Sequence, residues 1–279
     1  MSYDDYLDGK PVIITAALTG GVQGKETVPA IPETPPEIAE AAAGAEAAGA
    51  SILHLHARRP NGERAFATER FEEIDAAVRD ATDDVIIQHS TGGTGASNAV
   101  RAQPLETDPA PEMASLDMGP MNRYQKITSE NTRALVDQLH GRMLERGIKP
   151  ELEVFNSGHL NESLRIWDEL EEPPYINLIF GSGTTTVPHP RNLVHMVENV
   201  PDGAEFNVIG FGQHQLPLTT QSLLLGGHVR VGLEDNAYYR AGEPAESNAQ
   251  LVKRAARIAE ELGRPVASTE EARDILELS

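Results

Sequence analysis

Ser51-Ile52-Leu53-His54-Leu55-His56-Ala57-Arg58 is a short apolar run carrying two histidines at i and i+2. In an extended strand the side chains alternate, so His54 and His56 share a face with their imidazoles close enough to grip one ion. Two histidines supply half of a metal site, and a catalytic zinc would take a carboxylate from elsewhere as its next ligand. Far downstream, His228-Val229-Arg230-Val231-Gly232-Leu233-Glu234-Asp235-Asn236 ends a second strand-like run with one.

Whether those two runs can meet is a question of fold. Working outward from Ser51, a buried-strand run PVIITAAL (Pro11 to Leu18) comes first, then a proline-rich loop. Thr34-Pro35-Pro36-Glu37 next gives a helix start, with a capping Thr, prolines in the first turn and Glu three residues on. The alanine-rich EIAEAAAGAEAAGA continues that helix. The second strand runs from Ile52 to Ala57, FEEIDAAVRDA is helical, and Val85 to His89 is the third strand. The fourth falls at Glu112 to Leu116 and the fifth at Glu151 to Phe155, separated by a helix over Ser129 to Arg146. Leu160 to Leu170 is helical, Tyr175 to Phe180 is the sixth strand, and a helix opens at Asn192. Glu205 to Ile209 is the seventh strand, Leu216 to Leu225 a helix, and Val229 to Leu233 the eighth strand. Helices over Asn248 to Leu262 and Thr269 to Leu276 close the chain.

Eight strands alternating with helices over this length predict a single (β/α)₈ TIM barrel spanning residues 1–279, with an extra C-terminal helix; a doubly wound open sheet is the alternative. In a closed eight-stranded barrel the second and eighth strands both flank the first. Their carboxyl ends are then neighbours on the face where such folds place active sites, and His54 and His56 meet Glu234. This His₂Glu set keeps an open coordination position and suits a Lewis acid.

Composition narrows the partners. With 23 basic against 43 acidic residues the formal charge is −20, so nucleic acid and anionic membranes are repelled. Lysine occurs only at Lys10, Lys25, Lys126, Lys149 and Lys253. An acidic, lysine-poor surface fits a halophilic protein, because concentrated salt screens its self-repulsion. The absence of cysteine excludes disulfides and thiolate nucleophiles or ligands. No apolar run is long enough to span a bilayer, and the chain reads as cytoplasmic and soluble.

Around the expected metal set, Arg230 shares a face with Glu234, offering a permanent cation to a substrate carboxylate or a salt bridge to the barrel wall. Asp235 follows where the chain leaves the pleat, as a general base or a loop cap. Glu151 and Glu153 are in phase on one strand, and two inward carboxylates require a cation or a shared proton. Ser90, in HSTGG, is a substrate hydroxyl contact or a turn residue. Gly181 to Pro188, GSGTTTVP, lacks the P-loop lysine and reads as a plain loop.

Seven segments, PVIITAALTGG, ILHLHARRPNG, IIQHSTGG, PEMASL, PELEVFNSGH, GGHVRVGLEDNAYY and ESNAQLVKRAARIAEELGRPVAS, resemble the β-keto acid cleavage enzymes from about Pro11 to the carboxyl end. The resemblance implies a zinc-dependent (β/α)₈ barrel, usually a homotetramer, converting a β-keto acid and acetyl-CoA into acetoacetate and a new acyl-CoA. It implies His54, His56 and Glu234 as zinc ligands, with another divalent metal as the alternative, and Asp235 as general base. Arg230, Ser90 and Ser115 would then be substrate contacts, and Glu151, with Glu153 as its in-phase rival, would orient the base. A zinc-dependent aldolase or decarboxylase working without coenzyme A, and a metal-dependent binding protein, are the competing functions.

Two departures stand out. Ala57-Arg58-Arg59-Pro60 replaces the family's Val-Arg-Asp-Pro after the histidines, and Val22 stands where members acting on an amino-bearing keto acid carry glutamate. Valine cannot pair with an ammonium, so the expected acyl tail is uncharged.

Overall fold

Along Ile14-Thr15-Ala16-Ala17 every side chain is buried, alternately toward two different surroundings, and the same alternation on seven further strands builds the molecule. The computed structural model describes residues 6–123, 127–183 and 185–278. The eight strands are β1 (Ile14–Ala17), β2 (Ile52–Leu55), β3 (Ile86–His89), β4 (Met113–Asp117), β5 (Lys149–Val154), β6 (Tyr175–Phe180), β7 (Glu205–Gly210) and β8 (His228–Val231). They pair in parallel as one closed barrel, and the open-sheet alternative falls away. β1 lies between β2, through Ala17↔His54, and β8, through Thr15↔Arg230, which is the adjacency the metal set requires.

Helices α1 (Pro35–Ala47), α2 (Thr68–Ala81), α3 (Asn98–Ala102), α4 (Arg133–Arg146), α5 (Ser157–Ser163), α6 (Pro190–Val197), α7 (Gln215–Leu224), α8 (Asn248–Glu261) and α9 (Thr269–Leu276) complete the chain. The outward strand positions are apolar. Ile14, Ala16, Leu53, Leu55 and Val229 pack on α1 and α8, while Leu116, Leu152, Ile176 and Phe206 join Leu135 and Leu139 of α4. Each such side chain, fully buried, contributes roughly 1.5–3 kcal/mol. The amino-terminal end of the barrel is sealed by Ile13, Ile52, Ile86, Met113 and Tyr175 against Ala272 and Leu276 of α9. That assigns the extra C-terminal helix the role of a plug, and Arg273 clips it to Asp84 (2.6 Å) and Glu112 (2.7 Å).

Local chemistry explains most boundaries. α1 starts as predicted, with the Glu37 carboxylate accepting from the Thr34 N–H at 3.2 Å. α4 starts at Arg133 rather than Ser129, because Thr132 caps it by accepting from the Leu135 N–H (3.3 Å) and Ile127–Ser129 pairs with Met121–Arg123. The helix expected over Leu160 to Leu170 is α5 continued as a 3₁₀ segment, Leu164–Glu169. Two further antiparallel ribbons, Ala57–Arg58 with Arg64–Ala65 and Tyr238–Arg240 with Glu243–Pro244, also stand after barrel strands; two or three residues are too short to show a period in sequence. No helix among the described residues is long and apolar enough to cross a membrane.

Candidate active site

The inward strand positions are where this barrel departs from an apolar core. Thr15, His54, Gln88, Ser115, Glu151, Asn177, Asn207 and Arg230 are all buried and of the opposite parity to the outward apolar set. Buried polar groups must find partners, and the ones they find define the site.

His54 is the penultimate residue of β2 and His56 stands one residue beyond the strand, their rings 5.3 Å apart edge to face. Glu234 arrives from the loop after β8, with Oε1 3.1 Å from His56 Nε2 and Oε2 3.8 Å from His54 Nε2. One ligand atom of each lies within 4.8 Å of the others, a group that could hold a metal ion. Glycine permits this approach. Gly232 has φ 150°, and a Cβ there would overlap the Ala17 carbonyl, while a Cβ on Gly20 would come within 2.9 Å of Glu234 Cγ. Leu233 therefore does not extend the strand, which turns at Gly232 and swings Glu234 back over the histidines.

The donor set fits a divalent cation. The Gln88 carboxamide oxygen accepts from His54 Nδ1 at 2.6 Å, leaving the Nε2 lone pair toward Glu234. Burial, helped by the Arg230 charge, holds the His54 pKa well below its ordinary value, so the ring is neutral, as a ligand must be. Burial would raise Glu234, but His56, Arg230 and His54 outweigh it and keep the carboxyl well below the usual range. Its Oε2 has no hydrogen-bond partner although it is buried.

Arg230 is the hub beside this set. Its Nε and Nη2 donate to Asp235 Oδ2 (3.1 Å) and Oδ1 (3.3 Å), and Nη2 also lies 3.3 Å from Glu234 Oε1. Among the described residues Nη1 has no hydrogen-bond acceptor; Glu153 Oε1 stands 3.6 Å away. Burial pushes the Asp235 carboxyl up to about 6, opposed by Arg230 and reinforced by Glu234. Burial and the adjacent Asp117 raise Glu153 well above the usual range, and Glu153 hydrogen-bonds Asp117, so that pair shares a proton as two inward carboxylates require.

A cavity of about 300 Å³ opens over these groups, bordered by His54, His56, Ser90, Glu153, Arg230 and Glu234 among others. Ser90 Oγ accepts from the Gly92 N–H at 3.2 Å. Three expected residues do not border it. Asp235 lies behind Arg230. Glu151, whose oxygens are taken by Asn207 (2.7 Å) and Asn177 (3.2 Å), sits a layer deeper and does not orient Asp235 directly; Arg230 does. Ser115 accepts from the Thr91 N–H (3.2 Å), so it props the HSTGG turn.

Sequence reading missed Gln88, Arg64, Arg123 and an apolar wall of Phe155, Ile179, Ile209 and Phe211. Gln88 and Phe155 were findable, each lying two residues from a residue already assigned inward. Arg64 comes from a ribbon, donating to the Gly92 (3.3 Å) and Thr94 (3.0 Å) carbonyls, and Arg123 from another, donating to Asp117 (3.1 Å). No strand period marks either.

The family model for the beta-keto acid cleavage enzyme matches residues 11–278. A 3-keto-5-aminohexanoate cleavage enzyme of Fusobacterium nucleatum is 42% identical over 270 residues, covering 96% of this chain and 98% of that protein. The 3-oxoadipate:acetyl-CoA acetyltransferase of Cupriavidus necator is 34% identical over 275 residues, covering 96% and 95%. Among solved structures, the binary complex of ObcA with oxaloacetate matches with a TM-score of 0.77 at 20% identity, over 90% of this chain and 68% of that one, a likeness of fold.

Proposed function

We propose, since this chain belongs to the beta-keto acid cleavage enzyme family, that it is a zinc-dependent enzyme exchanging acyl groups between a β-keto acid with an uncharged tail and acetyl-CoA. The products are acetoacetate and the acyl-CoA of the tail. The observation that carries the reading is the convergence of His54, His56 and Glu234 within 4.8 Å, with Arg230 bordering the same cavity and its Nη1 buried without a hydrogen-bond acceptor among the described residues.

His54, His56 and Glu234 would hold the zinc, which when bound polarises the keto oxygen as a Lewis acid. Arg230 Nη1 receives the substrate carboxylate, and Ser90 Oγ hydrogen-bonds it from the opposite wall. As the carboxylate engages the guanidinium, Asp235 gives up part of its clamp and takes a proton from the carbon between keto and carboxyl groups. The resulting carbanion attacks the acetyl thioester and expels coenzyme A thiolate. The thiolate then attacks the original keto carbon, the carbon–carbon bond breaks, and Asp235 returns its proton to the departing acetoacetate carbon. Glu151 supports the site from below through Asn207 and Asn177; burial raises its pKa, and Arg230 opposes that rise.

The tail assignment rests on Val22 and its surroundings. An ammonium in this cavity would face the uncharged Val22, the Arg64 and Arg123 guanidiniums and a Glu153 that shares its proton, whereas the Phe155–Ile179–Ile209–Phe211 wall favours an apolar chain. From sequence the enzyme works in the cytoplasm and in concentrated salt, and from the family it is a homotetramer, which light scattering checks.

The test is acetoacetate release from a panel of β-keto acids, with and without acetyl-CoA, in high-salt buffer with zinc. Release that requires acetyl-CoA supports the exchange; release without it points to an aldolase or decarboxylase. Asp235→Asn should abolish turnover while zinc stays bound, and loss of zinc in that variant would overturn the division between base and ligands.

A further inference from the structure

A second cavity, of about 700 Å³, lies on the carboxyl-terminal face between the loop after β7 and the ribbon after β8, bordered by Gly212, Leu216, Tyr238, Tyr239, Arg240 and Arg254. In TIM barrels the loops after the seventh and eighth strands recurrently bind phosphate. Here those loops carry a cationic, aromatic surface on a chain whose net charge is −20. The Arg240 and Arg254 guanidiniums stand 5.2 and 4.7 Å from the Tyr239 ring centre, and Arg257 hydrogen-bonds the Tyr239 phenol. Arg254 is anchored on the Tyr239 carbonyl, and Arg240 pairs with the exposed Glu243 at the rim (3.1 Å). Tyr238, which borders the same cavity as Arg240 and Arg254, is 52% exposed.

This cavity and the metal-site cavity are bordered by consecutive residues. Phe211 borders the first and Gly212 the second, and the Gly212 N–H donates to the Asp235 carbonyl at 2.8 Å. A ligand with a phosphorylated aromatic head and a thin flexible arm could therefore seat its head here and pass the arm over Phe211 to the reacting groups.

We propose that this cavity is the subsite for the adenosine 3′,5′-bisphosphate end of coenzyme A. Tyr238 stacks on the adenine, and Arg240, Arg254 and Arg257 face the phosphates. The inference rests on the acyl-exchange reading, because it requires acetyl-CoA as co-substrate, and it adds where the nucleotide end binds.

Two measurements test it on the zinc-loaded enzyme. Adenosine 3′,5′-bisphosphate should bind by calorimetry and compete with acetyl-CoA. The double variant Arg240→Ala/Arg257→Ala should weaken that binding by about tenfold or more, since it removes two charge-assisted contacts. It should likewise shrink the preference, in kcat/KM, for acetyl-CoA over acetyl-pantetheine, which lacks the nucleotide; Tyr238→Ala should act in the same direction. Acetyl-CoA turnover in which the double variant keeps the full preference would place the nucleotide end elsewhere and overturn the proposal. A change in oligomeric mass with bisphosphate binding unaltered would do the same, by making the surface an interface between copies. If wild-type enzyme made no use of acetyl-CoA, the acyl-exchange reading would fail first and take this subsite with it.

Discussion

Gln88→Leu tests how the site prepares His54 to hold a metal. Gln88 is fully buried and does not border the cavity; its carboxamide oxygen accepts from His54 Nδ1 at 2.6 Å, which directs the Nε2 lone pair toward Glu234, and its side chain also helps hold down the Glu151 pKa. Leucine keeps the volume and removes the acceptor. The Nδ1–H would then be buried unsatisfied, at a cost of about 1–3 kcal/mol. The ring can escape by moving its proton to Nε2, 3.8 Å from Glu234 Oε2, but that proton occupies the ligand position. Loss of such a supporting hydrogen bond costs about 10–100-fold in metal affinity, equivalent to about 1.4–2.8 kcal/mol. Zinc dissociation constants from competition with a chromophoric chelator read this directly, with thermal unfolding of the metal-free protein as the check on folding. Ser115→Ala, equally buried on β4 but bonded to the HSTGG turn, serves as control and should leave zinc affinity within about twofold. A folded Gln88→Leu protein with wild-type zinc affinity would refute the tautomer assignment, and with it the argument that His54 is prepared as a ligand.

Gly232→Ala should lower stability by more than about 2 kcal/mol and disorganise Glu234, because φ of 150° and the Ala17 carbonyl leave no room for a Cβ; a near-wild-type melting curve with zinc still bound would count against it. Val22→Glu should raise kcat/KM for an amino-bearing β-keto acid about fivefold, the value of a partly exposed ion pair, and no change would place the tail away from Val22. The Arg273 side chain holds the Asp84 carboxyl below its ordinary value. With the folded pKa depressed, that pair stabilises above the unfolded value of about 3.9 and is lost as pH falls through the folded pKa. The stability gap between wild type and Asp84→Asn in urea unfolding should therefore narrow from pH 6 to pH 3, and a constant gap would deny the pair any role in clipping α9. Melting temperature should also rise with potassium chloride, since salt screens a net charge of −20; a fall would remove the case for a saline habitat.

The barrel was legible because its outward positions are apolar and its eight runs have the right length, and the adjacency of β2 and β8 then follows from closure alone. That is why the sequence alone brings His54, His56 and Glu234 together. The contacts of Asp235 were not legible. Its orientation depends on Gly232 breaking the pleat, after which Arg230 and Asp235, five residues apart, form a two-point ion pair that no strand period describes. Arg64 and Arg123 were missed for a related reason, since ribbons of two or three residues lack periodicity. Ser115 illustrates the opposite error. Its strand phase points inward, as expected, yet its hydroxyl is consumed by the turn in front of it, and phase alone cannot say which layer meets the cavity.

The polar interior gives a physical reason for the plug at the barrel's other end. A middle layer that includes Thr15, His54, Gln88, Glu151, Asn177, Asn207 and Arg230 contributes little hydrophobic stabilisation, and it is held by directional bonds that tolerate almost no displacement. Breaking one partner of such a set leaves a buried charge uncompensated, at about 3–5 kcal/mol. Stability must therefore come from the outer helices and from the apolar floor, where Ile13, Ile52, Ile86, Met113 and Tyr175 meet α9. Cutting into that floor should act at a distance. Leu276→Ala, which removes a fully buried side chain from the plug, should destabilise the protein by about 2–5 kcal/mol and, above its melting transition, release zinc in the same cooperative step. Zinc fluorescence competition and circular dichroism followed together would show it. Two separate transitions, with zinc retained after the floor has melted, would mean that the polar layer is self-supporting and that α9 is an accessory to the barrel.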